Sequence, residues 1–529
     1  MFFTLETKPY SRLSPKRGWS WETPPDPVPE DQIVETLTRD VVVIGGGISG
    51  LAASTRCAQK GLSVVTLDKC AAAGGHGWQI AALDSPVMRE QGKRIDKYEF
   101  VRNWLEVSGN QPNEDMVWLF VNNSPKVIDW LLSLFDEEVE KQIYTGCYRG
   151  PIFNEYQGSH HLLKTEGSRY RNRGGGPLLI EVFEEKIAAL GGLLLRNTRV
   201  CYLEKNAEGR VTGCIACGED GKYRRWNGTR GVVLATGDIG GNKEMLQAFC
   251  PIALTPAMDL FWPETSNAGD GHKMAYWAGA AFDDAPWACV MHNHPYGRFD
   301  AFFLHVNSRG KRFMNEDTWM QAKSVRIAMQ PEPRWAFAVF DANWLDDFGA
   351  RFDLIGGQGT MPLNMAINDV KWDPDCGVVE TVEGYIKEGK AYRADTIEAL
   401  AQQMEVPPET LRATVDRYNE LCDMGDDPDY GKRPELLTRI VKPPFIAVKM
   451  GASLLDVMGG CLTNTDLNVL DADRRPIEGL YAIGNSCGGM YGVDYPLLLN
   501  GNSYGRAFSY ALVLGRVLSG IADEEGGSK

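Results

Sequence analysis

A glycine-rich stretch between residues 45 and 50 has the composition and spacing of a dinucleotide-binding loop. Gly45, Gly47 and Gly50 supply the pattern G-x-G-x-x-G, which follows an apolar segment and precedes a segment of helical periodicity. Glycine at these positions permits a tight turn, lets backbone amides approach a pyrophosphate, and lets the helix pack closely on the strand. The N-terminus of the helix, at Ile48 and Ser49, then presents free amides and partial positive charge to the phosphates.

An acidic residue follows at the distance that this binding mode requires. Asp68 lies eighteen residues after Gly50, at the end of a second apolar segment, and is placed to accept hydrogen bonds from ribose hydroxyls. These residues need a βαβ unit to position them. The hydrophobic pattern predicts it as a strand over 40–44, a helix over 48–60 and a strand over 63–67.

Glycine-containing turns close two further predicted strands, at 235–237 (ATG) and 484–485 (GN). Together with the glycine pair at 74–75, they resemble the signatures of flavoproteins of the glutathione-reductase-like FAD superfamily. No second G-x-G-x-x-G follows a strand, and the redox C-x-x-x-x-C of disulfide reductases is absent. The resemblance therefore implies FAD as the cofactor, without a nicotinamide domain of the chain's own.

Composition restricts the classes of function. The chain has 529 residues, a net charge of −15 and no long Lys/Arg run, which disfavours nucleic-acid and anionic-membrane surfaces. Twelve scattered cysteines indicate reduced thiols, and the lone C-x-x-C at 214–217 lacks the second pair that a zinc site needs, so no metal is predicted. With no apparent signal peptide and no membrane-length apolar run, the sequence predicts a soluble cytoplasmic protein.

The predicted fold class is α/β, with a Rossmann-type FAD-binding domain of the glutathione-reductase kind and an inserted α+β cap domain. We expect an extended N-terminal arm over 1–38, a discontinuous FAD-binding domain over 39–286 and 445–529, and a cap over 287–444. Further helices are predicted over 97–107, 115–134, 177–190, 396–404, 408–422 and 502–519. Further strands are predicted over 193–196, 200–204, 211–217, 231–235 and 480–483.

Motifs between about residues 40 and 519 narrow the resemblance. They are 269–275 (GDGHKMA), 278–280 (AGA), 306–307 (VN), 310–316 (GKRFMNE), 458–460 (MGG), 488–489 (GG) and 501–503 (GNS). Jointly they are similar to the soluble fumarate reductase and 3-ketosteroid dehydrogenase flavoprotein family. This resemblance implies a mobile cap, with the substrate between the cap and the isoalloxazine ring. No haem-binding C-x-x-C-H is present, which excludes the cytochrome-fused members.

Three positions depart from the fumarate reductase pattern. The resemblance places an arginine proton donor at Met320, a carboxylate-binding arginine at Tyr495, and a histidine near Asp456. A dicarboxylate needs cationic partners, so fumarate and succinate are disfavoured as substrates.

Tyr495 and Pro496 instead resemble the Tyr-Pro of the ketosteroid dehydrogenase branch, where the tyrosine hydroxyl hydrogen-bonds the substrate's ketone. A phenol can donate one hydrogen bond to a developing enolate while its ring packs on an apolar substrate; the alternative is a core tyrosine. Those dehydrogenases carry a catalytic tyrosine where Met320 lies, so the acid must come from elsewhere. His294 and Tyr296 are the candidates, with ordinary loop residues as the alternative.

The residues predicted to bind FAD lie along most of the chain. They are Gly45, Gly47, Ile48, Ser49, Gly50, Asp68, Lys69, Gly74, Gly75, His76, Val200, Ala235, Thr236, Gly237, Asp270, Gly484, Asn485, Asn502 and Ser503. His76 stands where membrane-type succinate dehydrogenases attach FAD covalently. A noncovalent flavin contact or an ordinary loop histidine is the alternative there.

We expect an FAD-dependent ene-reductase or dehydrogenase that acts next to the ketone of an apolar, polycyclic, 3-ketosteroid-like substrate. Its external electron donor or acceptor is expected to be a nicotinamide or a redox protein. One alternative is an unsaturated carboxylate or a phenolic polycycle as substrate, with Arg298, Arg309 and Arg312 supplying an anion site. A second alternative is a flavin electron-transfer subunit, which a cap that excludes water disfavours.

Overall fold

The computed structural model of the chain describes residues 18–75, 77–151, 153–256, 266–294, 302–355, 372–375 and 377–522. The strands within these ranges are β1 (Ile33–Ile44), β2 (Val64–Leu67), β3 (Ile80–Ala81), β4 (Val139–Ile143), β5 (Ser159–Lys164), β6 (Leu193–Leu195), β7 (Arg199–Lys205), β8 (Val211–Cys217), β9 (Tyr223–Leu234), β10 (Ala288–His294), β11 (Leu304–Asn307), β12 (Ala336–Phe340), β13 (Ala391–Ala394), β14 (Phe445–Met458), β15 (Asn468–Leu470) and β16 (Pro476–Ala482).

The α-helices within the same ranges are α1 (Ile48–Gln59), α2 (Pro86–Glu90), α3 (Lys97–Val107), α4 (Glu114–Asn123), α5 (Val127–Leu132), α6 (Gly175–Ala189), α7 (Lys243–Phe249), α8 (Asp270–Trp277), α9 (Met320–Ala328), α10 (Trp344–Ile355), α11 (Val378–Lys387), α12 (Ile397–Met404), α13 (Pro408–Met424) and α14 (Asn502–Ser519). None of the helices in the described ranges has the length and apolar character needed to cross a membrane.

The largest sheet has eight strands and contains the predicted βαβ unit. Its order is β15-β16-β9-β1-β2-β6, with β8 joined to β9 and β7 joined to β8. Strands β16, β9, β1, β2 and β6 run parallel, and Val41 pairs with Val64 on one side and Gly231 on the other. Residues 41–44 of β1 are buried, and α1 packs on β1 and β2 while α6 and α14 pack on α1. This confirms the predicted Rossmann-type fold class.

Some predicted elements have different bounds in the structure. The strand expected over 40–44 begins at Ile33, because residues 33–39 pair with the first half of β9. The helix expected over 115–134 is divided into α4, a 3₁₀ turn and α5. Pro125 lies in that turn, where its missing N–H and its ring interrupt the helical hydrogen bonds.

The N-terminal arm predicted over 1–38 is anchored at Trp21, which packs into a buried hydrophobic cluster. The Trp21 side chain is only 4% exposed. Its ring packs against Phe249 and Tyr276, with centroid distances of 5.7 and 5.1 Å. The burial of one large aromatic ring outweighs the extended, proline-rich character of the segment that follows it.

A second sheet has five antiparallel strands, in the order β10-β14-β12-β11, with β13 also joined to β14. Strand β14 is long: its first half pairs with β12 and β13, and its second half pairs with β10. Asp456, near its end, is opposite Val290 of β10. The predicted domain division at residues 286/287 and 444/445 stays a prediction. Strand β14 lies on the FAD-binding side of that division and pairs with β10, β12 and β13, which lie on the cap side.

Candidate functional site

The glycine-rich loop between β1 and α1 has little room for side chains. Gly45 has φ +106°, and a Cβ atom there would lie 2.3 Å from the carbonyl oxygen of Ala235. At Gly50 a Cβ would lie 1.9 Å from the Gly45 carbonyl oxygen. No side chain caps the N-terminus of α1, so its first amides remain available to a ligand. The loop therefore fits the pyrophosphate of a dinucleotide.

Asp68 lies at the end of β2 and closes one side of this loop. Its Oδ2 accepts hydrogen bonds from the Gly46 amide at 3.1 Å and from Nη1 of Arg196 at 2.5 Å. Its Oδ1 accepts from the Cys70 amide at 3.0 Å. A carboxylate has about four lone-pair positions, so Asp68 retains capacity for ribose hydroxyls while Arg196 holds its position.

Lys69 and Asp270 connect β2 to α8 across the cleft. The Lys69 ammonium donates to Oδ2 of Asp270 at 2.7 Å, and Lys273 approaches the other oxygen at 2.7 Å. Although burial opposes the charge, hydrogen bonds from Lys273 and Lys69 lower the pKa of Asp270 to about 2. Asp270 is therefore an anion at neutral pH, and its pairing with Lys69 keeps the wall of the cleft in place.

Together these elements enclose a cleft of about 400 Å³. The predicted cofactor-binding residues that line it are Gly45, Gly47, Ile48, Ser49, Asp68, Lys69, Gly74, Gly75, Val200, Ala235, Thr236, Gly237, Asp270, Asn485 and Ser503. Residues that are far apart in the sequence thus meet in one site. Its glycine-rich loop, its uncapped helix N-terminus and the acid at the end of β2 would supply the chemistry that FAD requires.

Three of the predicted cofactor residues do not line the cleft. Gly50 and Gly484 allow close packing instead; a Cβ at Gly484 would lie 2.3 Å from the Ser49 hydroxyl. The Asn502 side chain accepts from the Tyr491 hydroxyl at 2.7 Å and donates to two backbone carbonyls, so it holds the loop before α14.

The remaining predicted site residues are described only in part or not at all. His76 and Tyr296 lie outside the described residues, as does Arg298. The backbone of His294 ends β10, but its side chain is also outside them. Their proposed roles stay predictions.

Behind the cleft wall is a chain of hydrogen bonds that the sequence did not reveal. Asn485 Nδ2 donates to Oδ1 of Asp456 at 3.1 Å, and Asn485 Oδ1 accepts from Nη2 of Arg506 at 2.7 Å. Asp456 lines the cleft, whereas Arg506 is fully buried. Burial raises the pKa of Asp456 well above its usual range, and the nearby charge of Asp238 raises it further.

Tyr495 lies beside this chain of residues. It is 6% exposed and does not line the cleft directly. Burial raises the pKa of its hydroxyl well above the usual value, and Tyr491 and Asp456 add to that shift through their charges. The phenol therefore stays protonated at neutral pH, as a hydrogen-bond donor must.

Segments from the two predicted domains meet near Met320. The Tyr148 hydroxyl donates to Oδ1 of Asp317 at 2.8 Å, and Arg433 binds the same carboxylate through two nitrogens at 2.5 and 2.7 Å. Phe153 stacks on Trp319 with a centroid distance of 6.1 Å. Met320 is the first residue of α9 and is packed against the main hydrophobic core, where it offers no proton.

Two of the three candidate anion-binding arginines lie within the described residues, and one of them is ion-paired while the other is exposed. Arg312 donates to Glu316 at 2.8 Å and to Asp427 at 2.8 Å, and all three side chains are nearly or fully buried. Although burial opposes the charge of Glu316, Lys432 and Arg312 lower its pKa to about 2. Arg309 is exposed. Arg312 is thus committed to a structural ion pair.

Arg196 and Asp456 are two residues of this site to which sequence reasoning assigned no role. Arg196 directly follows β6, which is parallel to β2, so the rule that carboxyl ends of parallel strands meet could have placed it beside Asp68. For Asp456 the family pattern indicated a histidine position nearby but not the partners of the acid, because these depend on the antiparallel pairing of β14 with β10.

The fold and the cleft define an FAD-binding flavoprotein. The family model described as FAD binding domain matches residues 40–503, and the chain belongs to that family. Vinyl phenol reductase of Lactiplantibacillus plantarum is 24% identical over 489 residues, covering 89% of this chain and 94% of the relative. Probable fumarate reductase Ifc3 of Shewanella frigidimarina is 27% identical over 547 residues, covering 97% and 80%.

A solved structure has the same fold. That of 3-ketosteroid Δ1-dehydrogenase from Sterolibacterium denitrificans superposes with a TM-score of 0.69 at 20% identity, covering 91% of this chain and 99% of that one. The resemblance to the fumarate reductase and ketosteroid dehydrogenase flavoproteins is thereby confirmed, as is FAD as cofactor. The protein is an FAD-dependent oxidoreductase that acts on C=C or CH–CH bonds.

Proposed function

We propose that the protein is an ene-reductase that saturates a C=C bond conjugated to the ketone of an apolar, polycyclic substrate. Bound FAD supplies hydride chemistry at N5 of its reduced isoalloxazine. The residues of the chain bind the substrate oxygen, exclude water and deliver a proton to the α-carbon. Tyr495 is the proposed donor to the ketone oxygen, and His294 or Tyr296 is the proposed proton source.

The observation that carries this proposal is the state of Arg312. Both of its carboxylate partners, Glu316 and Asp427, are buried with it. Glu316 also pairs with Lys432, but freeing Arg312 for a substrate would leave the buried Asp427 without an ion pair among the described residues. Breaking such a pair costs about 3–5 kcal/mol. With Arg309 exposed, the carboxylate alternative loses two of its three candidate cations. An uncharged substrate oxygen needs none of them.

A phenolic substrate is the second candidate. The relative from Lactiplantibacillus plantarum is named for a vinyl phenol, a molecule that carries a neutral oxygen conjugated to a C=C bond and no carboxylate. A tyrosine hydroxyl can hydrogen-bond a phenol oxygen as it does a ketone oxygen. A phenolic substrate would have a different ring system, but its oxygen would be bound by the same kind of hydrogen bond.

The source of electrons belongs to the same proposal. The chain has no second dinucleotide fingerprint after a strand, so we propose that reducing equivalents arrive from a separate nicotinamide or redox protein. If the electron-transfer alternative were correct, reduced holoenzyme would transfer electrons only to a partner protein. Reoxidation by a small molecule alone separates the two.

An anaerobic titration tests the proposed function. Chemically reduced holoenzyme is titrated with 4-androstene-3,17-dione, 4-vinylphenol and fumarate in separate experiments, and flavin reoxidation is followed by absorbance. We expect the enone or the vinylphenol to reoxidise the flavin stoichiometrically. Reoxidation by fumarate, with neither neutral compound active, would refute the proposal.

A further inference from the structure

Three carboxyl groups line the cleft within the described residues, and one of them has no cationic partner. Asp68 is paired with Arg196 at 2.5 Å, and Asp270 is paired with Lys69 at 2.7 Å. Asp456 forms no salt bridge within the described ranges; its protein hydrogen bond there is the one from Asn485 at 3.1 Å. A buried carboxyl in this state is destabilised as an anion.

The orientation of Asn485 determines which oxygen of Asp456 can carry a proton. Arg506 has only donors, so the Asn485 atom that contacts its Nη2 at 2.7 Å must be the amide oxygen. The amide nitrogen then faces Asp456 and donates to Oδ1. Oδ1 is thereby an acceptor, and a proton on Asp456 resides on Oδ2, which accepts no hydrogen bond from any described residue.

Burial and, second to it, the neighbouring charge of Asp238 keep the proton on Asp456. Oδ2 of Asp238 accepts from the Val457 amide at 2.6 Å, and Gly240 and Asn267 add hydrogen bonds that favour its anion. Burial raises the pKa of Asp238 to about 6. With one carboxylate already charged next to it, Asp456 retains its proton to higher pH, so at neutral pH the pair holds one negative charge.

The other groups that face Asp456 come from α14 and from the loop that precedes it. Arg506 favours the Asp456 anion and therefore opposes the shift, whereas desolvation and Asp238 outweigh it. Tyr491, Tyr495 and Tyr504 are neutral at these pH values because burial raises the pKa of each phenol. From β10 the facing residue is Val290, which does not titrate.

We infer that Asp456 is a neutral carboxylic acid whose Oδ2–H donates a hydrogen bond to the uncharged oxygen of the substrate. This inference rests on the proposed function and deepens it, because it assigns a second donor to the substrate oxygen in addition to Tyr495. A ketone oxygen has two lone pairs and can accept from both. A carboxylic acid kept neutral next to a tyrosine is known to polarise a ketone in this way in another enzyme.

The same arrangement selects against a carboxylate. An anionic ligand at Asp456 would lie close to the charge of Asp238, while Arg506 is already bound to Asn485 and to the Cys487 carbonyl at 3.3 Å. Such a ligand would lose its hydration without gaining Arg506 as a cationic partner. The substrate class is therefore a neutral ketone or phenol.

Ligand binding to oxidised holoenzyme tests the inference without turnover. The dissociation constant of 4-androstene-3,17-dione is measured from the perturbation of the flavin absorbance between pH 6 and 10. In the wild type we expect affinity to fall at least tenfold once the pH exceeds the raised pKa of Asp456, because an ionised carboxylate repels the ketone oxygen. Asp456→Asn, which always donates through its amide, is expected to bind with a pH-independent constant.

Glu155→Gln is the matched control. Burial raises the pKa of Glu155 to about 8, but this acid does not line the cleft, so the variant should keep the wild-type binding profile. If Asp456→Asn retains the wild-type profile, or the wild type shows none, the inference is wrong while the enone proposal stands. If the wild type binds no enone at any pH but binds fumarate, the proposed function itself fails.

A second measurement covers the case in which Asp456→Asn does not fold. The infrared spectrum of wild-type holoenzyme should contain a protonated-carboxyl band that shifts when the enone binds. The absence of any such ligand-sensitive band would overturn the inference.

Discussion

Tyr495 stacks on Tyr491, with ring centroids 5.4 Å apart and an angle of 26° between the rings. The two hydroxyl groups have different surroundings. That of Tyr491 donates to Asn502 at 2.7 Å and ties the loop to the start of α14. That of Tyr495 lies within the electrostatic reach of Asp456. In this pair the Tyr491 hydroxyl has a structural role, whereas the Tyr495 hydroxyl has the proposed catalytic role.

Tyr495→Phe should lower kcat strongly without affecting the fold. The ring, and with it the stacking on Tyr491, is kept, so we expect little change in melting temperature or flavin content. A donor that acts on a developing oxyanion is worth about 10²–10³ in rate, and kcat should fall by about that factor while KM changes less. Steady-state kinetics with the true substrate checks this.

Tyr491→Phe is the matched control for that experiment. It should lower the melting temperature, because a buried hydrogen bond contributes about 1 kcal/mol, with a smaller effect on kcat. Near-full turnover by Tyr495→Phe would remove the main reason for assigning a ketone to this site.

Met320→Leu should retain most of the activity. The side chain packs on the hydrophobic core at the start of α9, and leucine conserves its volume at a cost usually below about 1.5 kcal/mol. Neither residue can donate a proton. The ratio kcat/KM of the purified variant is the test, and a loss of two orders of magnitude would mean that this position still serves the chemistry.

The βαβ unit and the glycine loop could be predicted because local sequence dictates them. Gly45, Gly50 and the apolar run over 41–44 each have a backbone or burial requirement that few other residues meet. The helix predicted over 502–519 has the bounds of α14, and glycine precedes and follows it in the structure. These signals are local, and the structure confirms them.

The part of the site around Asp456 could not be predicted in the same way. Its relation to Asp238 and Arg506 depends on the register of β14 against β10 and on the approach of three distant segments. Likewise, Arg312 could be seen as a cation in the sequence, but its commitment to Asp427 depends on a contact across 115 residues. Ion pairs between segments that are far apart in the sequence produce no periodic pattern by which they could be predicted.

Asp68→Asn should weaken the binding of FAD. The change removes the charge that Arg196 and the Gly46 amide recognise, and hydrogen bonds to charged groups contribute about 1.5–3 kcal/mol. We expect the dissociation constant of FAD, measured by flavin fluorescence on reconstitution of apoprotein, to rise by about tenfold or more.

Asp220→Asn provides the comparison for Asp68→Asn. Asp220 pairs with Arg224 at the surface, at 2.8 Å, away from the residues that line the cleft, so FAD affinity should not change. Equal affinities for FAD in the two variants would contradict the assignment of Asp68 to the cofactor.

Stability should fall as the pH rises from 6.5 to 8. Burial raises the pKa of Glu155 to about 8 and that of Asp283 to about 7, so the folded state holds protons that the unfolded state has already released. A group that binds a proton only in the folded state changes the unfolding free energy by about 1.4 kcal/mol per pH unit. The melting temperature of holoenzyme at fixed FAD concentration measures this slope.

Below pH 6.5, buried histidines change the unfolding free energy in the opposite direction, so that stability falls as the pH is lowered. Burial lowers the pKa to about 4 for His160, His161, His272 and His292. Their stabilising contribution is complete above the unfolded value of about 6.5 and is lost as the pH falls toward 4. Glu155→Gln should therefore flatten the slope between pH 6.5 and 8 and leave the acid limb unchanged. An unchanged slope in that variant would show that Glu155 is ionised in the folded state.

A competition experiment tests the central claim most directly. Reduced holoenzyme is mixed anaerobically with equal concentrations of 4-androstene-3,17-dione and fumarate, and the products of a single turnover are identified by mass spectrometry. A site that binds a neutral oxygen through Tyr495 and has no free arginine clamp among the described residues should give the dihydro-ketone, with both carbonyl groups retained. Succinate as the product, with the enone intact, would contradict the account.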